Sequence, residues 1–570
     1  MRTTNSIVIG LLSLLFLACS SQEDKPTIPE TPILKPQIDP AVANTVGFFL
    51  DNWSPKNFTS PTSYTETTVP TATSTTVTID YANVITKIPS TIYGNNANLW
   101  SGKMITDTRL TTDITKLKTN IIRFPGGSIS DTYFWNASSN PSTVPATLLK
   151  ADGTSEASNF WFGKNDADWT ISLENYYQLL QTTNSKGLIT VNYGYARYGT
   201  GTDPVQDAAK LAADWVKYDN GRTEYWEIGN ENFGDWEAGY RINTSLNRDG
   251  QPEFINGELY AKHFKIIATA MREAAKSIGN TKIKIGAVLF ESKPESWMND
   301  NNKTWNDKLL PALLEEADYY VLHNYFTAAS NVNAATILET PKAKITEIMA
   351  YVKNDLTAKT RQIKPFALDE WNIFAKDSKQ QVSHINGMHG VLILGEALKN
   401  KIGLAARWDF FNGWDNGNDH GLFSNGDEPN IPKGTPRPAF YHLYYFQKNM
   451  GDRLIDATKD TAGNYEVYAS SFSDGKVGLA FVNKATIAIN VKVKLNNFLT
   501  GKRMYWYTLV GDTDNGEFSR KVIINGTRPA LEAGGPSNYE TIKPYSAITS
   551  NGTNITLPAR SSVFAVIEKQ

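Results

Sequence analysis

The chain has 570 residues, with 56 Lys and Arg against 58 Asp and Glu, a formal net charge of −2, 41% hydrophobic residues and 20% charged ones. This is a globular composition long enough for more than one domain, and it excludes a disordered or membrane-embedded chain. No long basic run is present, and the six histidines (263, 323, 384, 389, 420 and 442) show neither HxxxH nor HxH spacing, so neither nucleic-acid binding nor a histidine-built metal site is expected.

Residues 1–18 carry Arg2, an apolar run from Ile7 to Phe16, then Leu17-Ala18-Cys19. The run is shorter than the roughly 20 residues that span a bilayer, so it reads as an export signal. Leu-Ala-Cys at its end resembles the lipobox of bacterial lipoproteins. That resemblance implies cleavage before Cys19, lipidation of Cys19, and a protein anchored to the bacterial outer membrane or cell surface. Cys19 is the single cysteine, so no disulfide supports the fold and stability must come from the core. Across residues 19–44 five prolines (Pro26, Pro29, Pro32, Pro36, Pro40) keep the chain extended, which suits a tether. Residues 45–90, rich in Thr, Val and Ser, read as β structure that either joins the C-terminal strands or forms a small lead-in.

From 91 to 440, eight short runs rich in Val, Ile, Tyr and Phe alternate with helical patterns. The runs are Thr91–Asn95, Asn120–Phe124, Leu188–Tyr193, Thr223–Gly229, Lys282–Val288, Tyr319–Asn324, Pro365–Glu370 and Gly403–Asp409. Between them, stretches such as Pro204–Asp219, Gly257–Ile278 and Val382–Lys399 repeat apolar residues at helical spacing. Strand–helix alternation implies right-handed βαβ units, and eight of them imply an α/β fold of the closed (β/α)8 TIM-barrel type. An open doubly wound sheet lacks the Gly-rich phosphate loop it would carry after the first strand. Residues 441–570 change texture: Tyr465–Phe472, Lys476–Asn483, Ile487–Leu495, Arg503–Leu509 and Val563–Lys569 are short, β-branched and separated by turn residues. They predict a C-terminal antiparallel β-sandwich.

Barrels of this type place their reacting groups at the C-terminal ends of the strands. Two of the eight ends carry glutamate: Glu231 in Gly229-Asn230-Glu231, after the fourth run, and Glu370 in Asp369-Glu370-Trp371, closing the seventh. Either alone could cap a helix or pair with a loop cation. As a pair facing each other across the barrel mouth they match the two carboxyls, about 5–5.5 Å apart, of a double-displacement glycosidase. Glu227 sits about 13 Å deeper at a strand's rise. Asp369 and Glu370, adjacent on a strand, should face opposite sides, so only one should enter the lumen. Asp235 and Glu237 read as rim residues.

Arg123-Phe124-Pro125-Gly126-Gly127, Tyr225-Trp226 through Glu231, Gly234 with Trp236, Leu322-His323 with Tyr325, and Asp369-Glu370-Trp371-Asn372 occur in one order over residues 92–409. Together they resemble clan A retaining glycoside hydrolases, and within the clan the family 51 α-L-arabinofuranosidases. The resemblance implies Glu231 as acid/base, Glu370 as nucleophile and no metal or organic cofactor. It implies substrate-binding roles for Arg123, Asn230, His323, Tyr325, Trp371 and Trp408, with Arg123 holding Glu370 ionised. Asn230 would bond a sugar hydroxyl, Tyr325 would orient Glu370, and Trp408 would floor the sugar site. The chain departs from the family pattern at Ser128, at Asn136-Ala137-Ser138-Ser139 and at Arg407-Trp408-Asp409-Phe410, all of which shape the sugar pocket. Trp161, Trp169, Trp236 and Trp414, in polar surroundings, read as sugar platforms. The loop Asp415–Gly421 lacks the Gly and Glu of a calcium loop and reads as cover for the cleft. The expectation is a retaining hydrolase acting on polysaccharide or oligosaccharide, with a carbohydrate partner and membrane contact only through Cys19. Its alternatives are an endo-acting β-glycanase of the same clan, cellulase- or agarase-like, and an inactive glycan-binding surface lipoprotein.

Overall fold

The computed structural model describes Met1, residues 34–512 and residues 516–570. The expected signal segment and Cys19 lie outside the described residues. Residues 36–570 form one compact unit.

All eight barrel strands form, seven where the sequence places them and the first displaced to Gly94–Asn96 because Ser90–Ile92 makes a 3-10 turn. They are β1 (Gly94–Asn96), β2 (Ile121–Phe124), β3 (Lys186–Val191), β4 (Tyr225–Ile228), β5 (Lys284–Val288), β6 (Tyr319–Asn324), β7 (Phe366–Trp371) and β8 (Leu404–Arg407). Each pairs in parallel with the next, and β8 returns to β1 to close the barrel. The helices that follow them are α1 (Thr108–Leu117), α2 (Leu173–Thr183), α3 (Pro204–Asp219), α4 (Gly257–Ser277), α5 (Asp300–Leu313), α6 (Ala334–Ala358), α7 (His384–Lys399) and α8 (Pro438–Asn449). The side chains of Asp107, Ser172, Asp203, Asn256, Asn299, Asn333 and Ser383 cap α1 to α7, each accepting from a backbone N–H of the first turn. Those donors would otherwise go unpaired. The eighth helix starts instead on Pro438, whose missing N–H costs nothing there.

The bottom of the barrel is closed by the N-terminal chain. Gly47–Leu50 forms a 3-10 turn rather than a strand, and Val46 and Phe49 pack on Ile121, Leu188, Tyr225, Tyr319, Ala367 and Leu404. The expected tether also ends early. The amide of Gln37 donates to Tyr81 O (2.6 Å) and to Ser471 Oγ (2.9 Å), and Asp39 pairs with Arg453 at 2.6 Å. Residues whose polar side chains are tied to the sandwich in this way belong to the folded body rather than to a spacer.

The rest of the N-terminal β segment joins the sandwich. Strand Thr75–Lys87 lies between Arg453–Lys459, antiparallel, and Ile489–Asn496, parallel, inside an eleven-stranded sheet. The expected antiparallel sandwich therefore carries parallel pairs, here and at Thr65–Glu66 beside Tyr545–Ile548, where strands entering from the other end of the chain meet it. Its own core includes Val77, Ile79, Val467, Phe481, Val491 and Val563. Helices α7 and α8 are buried on nearly every side because the barrel covers one face and the sandwich the other. Tyr468, for example, donates from the sandwich to Glu396 Oε1 on α7 (3.0 Å).

Candidate active site

Four strand ends converge on one guanidinium. Arg123, from β2 and fully buried, donates from Nε to Glu227 Oε2 (2.9 Å) and from Nη1 to Glu370 Oε2 (3.0 Å) and Asn96 Oδ1 (3.1 Å). Its Nη2 donates to Asn230 Oδ1 (2.9 Å). Burial opposes its charge, but Glu227, Asp369 and Glu370 outweigh that and hold it firmly protonated. Glu370 also accepts from Tyr325 Oη (2.6 Å), so both of its oxygens are held.

Glu231 follows β4 with its backbone at φ 42°, in the left-handed region that non-glycine residues rarely occupy. Gly229, two residues before it, turns the chain at φ 79°, and a Cβ there would lie 2.0 Å from Asn232 Oδ1. Glu231 Oε1 lies 2.9 Å from His323 Nδ1, and its Oε2 accepts from Trp236 Nε1 (3.1 Å). His323 is more than a mouth residue: its Nε2 lies 3.2 Å from Asp369 Oδ1 and its Nδ1 3.8 Å from Glu370 Oε2. Burial disfavours its charge, yet Glu370, Asp369 and Glu231 raise its pKa well above the ordinary histidine value, making it an imidazolium bridging three carboxyls. One atom each from Glu231, His323 and Glu370 lie within 4.8 Å of one another, close enough to share a cation.

The rule that neighbouring strand residues alternate fails on β7. His323 pairs with Glu370 and Leu322 with Leu368, leaving Asp369 as an extra residue, and the register beside β8 shifts over the same residues. This bulge turns Asp369 and Glu370 both inward, where they meet the same imidazole. It also turns Trp371 outward. The expected substrate contact of Trp371 is thus replaced by packing: it is 1% exposed, in the core beside Gly390 of α7.

Below the mouth, burial pushes Glu227 well up, against Arg123. Asp369, despite its own burial, is held below the usual carboxylate range by a hydrogen bond from Glu227 and by His323 and Arg123. The two shifts run in opposite directions, up for Glu227 and down for Asp369. For Glu370 burial dominates as well, joined by Glu231, and raises its pKa despite His323, Arg123 and Tyr325. Arg123 alone therefore does not set the ionisation of Glu370.

Glu237 is not a rim residue. The loop after β4 folds back so that Glu237, 4% exposed, accepts from Ser128 Oγ (2.7 Å) and Asn230 Nδ2 (2.9 Å), and burial drives its pKa well up. Asn230 is therefore held between Arg123 and Glu237. Asp131 fixes the loop by accepting from the backbone of Tyr193 (3.1 Å), Gly194 (3.0 Å) and Asn230 (3.2 Å) and from Asn232 Nδ2 (2.7 Å). Nothing in the spacing of Asp131 or Glu237 marks them, whereas Asn96 could have been found as a polar strand end. Trp408 stands over Gly126 and Gly127, where a Cβ on Gly127 would come 2.6 Å from its ring. The loop Asp415–Gly421 is pinned inward, with Asp419 on Arg437 at 2.6 Å, and Trp414 lies under Arg437 and Arg520. Trp169 and Trp236 remain exposed.

The closed (β/α)8 barrel carrying a β-sandwich is a fold this chain shares with solved glycoside hydrolases. Among them it is similar to the α-L-arabinofuranosidase from Thermotoga maritima, solved as an arabinose complex (18% identity, TM-score 0.60), and to the family 51 α-L-arabinofuranosidase from Thermotoga petrophila RKU-1 (17%, 0.61). It is also similar to a family 44 xyloglucanase from Paenibacillus polymyxa (13%, 0.56). Each alignment covers 87% of this chain and 100% of the other. No family model and no curated protein matches the sequence.

Proposed function

We propose that this protein is a retaining glycoside hydrolase of α-L-arabinofuranosidase type, with Glu370 as nucleophile and Glu231 as acid/base, acting on polysaccharide or oligosaccharide. The observation that carries the reading is the approach of the two carboxylates, whose nearest oxygens lie within 4.8 Å. Inverting enzymes need about 6.5–9.5 Å to admit a water, while retaining ones work at about 5–5.5 Å. Tyr325 and Arg123 hold Glu370 for attack on the anomeric carbon. Trp236 and His323 hold Glu231 where it gives a proton to the departing oxygen and later takes one from the incoming water. Lipidation at Cys19 would set this activity at a bacterial outer membrane or cell surface.

An azide-rescue experiment tests the mechanism. Glu370→Gly should lose turnover of the aryl glycoside that the wild type cleaves best, among 4-nitrophenyl α-L-arabinofuranoside, β-D-xyloside and β-D-glucoside. Added azide should restore it and yield a glycosyl azide of inverted anomeric configuration. Near-normal turnover by Glu370→Gly without azide would sink the assignment. The open cleft beside Trp236 favours one second reading, an endo-acting β-glycanase, in which product ladders would replace released monosaccharide.

A further inference from the structure

The bulge on β7 brings a second acid, Asp369, under the paired glutamates. Its backbone carbonyl accepts from Asn96 Nδ2 (2.9 Å), which ties the bulge to β1. Among the described residues, His323 is the one basic side chain in ion-pair range of the Asp369 carboxylate, at 3.2 Å. Asp369 is fully buried and His323 is 5% exposed. A carboxylate so enclosed cannot touch a sugar, so whatever it does in the site it does through the imidazole.

A neutral imidazole carries one N–H and can serve one acceptor; only the cation donates from both nitrogens. His323 faces carboxyl oxygens on both sides. Its Nε2 lies 3.2 Å from Asp369 Oδ1, and its Nδ1 lies 2.9 Å from Glu231 Oε1 and 3.8 Å from Glu370 Oε2. The other groups that act on the ring are Arg123 from β2, Glu227 from β4 and Glu291 after β5. Tyr325, beyond β6, reaches it through Glu370. Of these Arg123 alone opposes the cation; the carboxyls favour it, in keeping with the raised pKa of His323. Tyr325 bonds Glu370 and Trp236 bonds Glu231, but His323 stands against both glutamates.

We infer that Asp369 is a positioning residue: by pairing with His323 it holds one positive charge between the acid/base and the nucleophile, so that a single ion pair tunes both glutamates together. The roles of the two glutamates rest on the glycosidase reading above. A cation beside a carboxyl favours its ionised form. The imidazolium therefore keeps Glu370 ready to attack at lower pH and makes Glu231 readier to give up its proton. Without Asp369 the ring loses its second acceptor and, with it, the reason to stay charged.

Asp369→Asn in the full chain keeps the shape of the side chain and removes its charge. Nitrogen NMR of histidine-labelled protein, with His323→Gln to assign the signal, should show the ring charged in the wild type and neutral in Asp369→Asn at about pH 7. On the aryl glycoside that the wild type cleaves best, both limbs of the kcat/KM profile should move alkaline together, by about one pH unit. If the Asp369 charge acted on the glutamates directly, its removal would relieve repulsion and move both limbs acidic instead. A merely structural role would lower turnover and leave the limbs in place. Either of those profiles, or a ring that stays charged in Asp369→Asn, would overturn the inference. Should Asp369→Asn not fold, the wild-type ring decides, a charged one supporting the inference and a neutral one overturning it. Failure of azide rescue with a ring charge that still follows Asp369 would strike only the catalytic reading.

Discussion

Arg123 shows how a single residue can organise a site. It donates to groups from β1, β4 and β7 and to the turn after β4, so its loss strips four acceptors at once and leaves Glu227 buried without its cation. Removing one partner of a buried ion pair costs about 3–5 kcal/mol, so Arg123→Ala should lower the midpoint of chemical unfolding by that equivalent. Tyr325→Phe is the gentler probe. It removes one hydrogen bond to a charged group, worth about 1.5–3 kcal/mol, so kcat should fall about tenfold to a hundredfold with stability near that of the wild type. The pH profile should move with it. Glu370 must be ionised to attack, so activity is lost as pH falls through its pKa, which burial already raises. The tyrosine bond favours the anion, so Tyr325→Phe should shift the acidic limb of kcat/KM further upward. An unmoved limb would mean that another group sets it.

Among the elements, α7 carries the junction between barrel and sandwich. A Cβ on Gly395 would lie 2.3 Å from the ring of Tyr468, so Gly395→Ala should destabilise the fold by about 1–3 kcal/mol, measured by thermal unfolding, although alanine is the better helix former. The element scale is also where sequence reading succeeds and stops. β2 to β8 are legible because β-branched and aromatic runs alternate with amphipathic stretches, and Glu231 and Glu370 are legible because barrels expose strand ends. The inward turn of Asp369 and the outward turn of Trp371 are not, because they come from a bulge set by neighbouring strands rather than by β7 itself. Nor is Glu237, which reaches the site only through a reversal held by Asp131. The turn at Gly47–Leu50 is hidden in a segment that reads as β structure from its Thr, Val and Ser content, whereas Phe48 and Phe49 serve to plug a barrel.

For the whole molecule, buried histidines set a limit on acid tolerance. Burial lowers His263 and His384 to about 4 and His389 to about 3, and drives His442 well below the ordinary value. Each stays neutral when folded and takes a proton near pH 6.5 when unfolded. Their contribution is complete above about pH 6.5 and is lost as pH falls toward 4, at up to about 5 kcal/mol per pH unit for the four together. His323, with its raised pKa, acts in the opposite sense, contributing fully below its unfolded value. Thermal unfolding should therefore shift steeply downward between pH 6.5 and 4, and a flat profile would show that these sites are hydrated.

Strand Thr75–Lys87 has a further consequence, one of timing. Both of its partners, Arg453–Lys459 and Ile489–Asn496, come from the far end of the chain. Roughly 370 residues must leave the ribosome after Lys87 before Arg453 follows, about 20–70 s at ordinary elongation rates. Throughout that interval thirteen β-forming residues have no edge to join, and an unpaired apolar strand is an invitation to aggregate. A chain cut short after the barrel would never resolve it, so truncation at residue 450 should give insoluble protein even though all eight barrel strands are present.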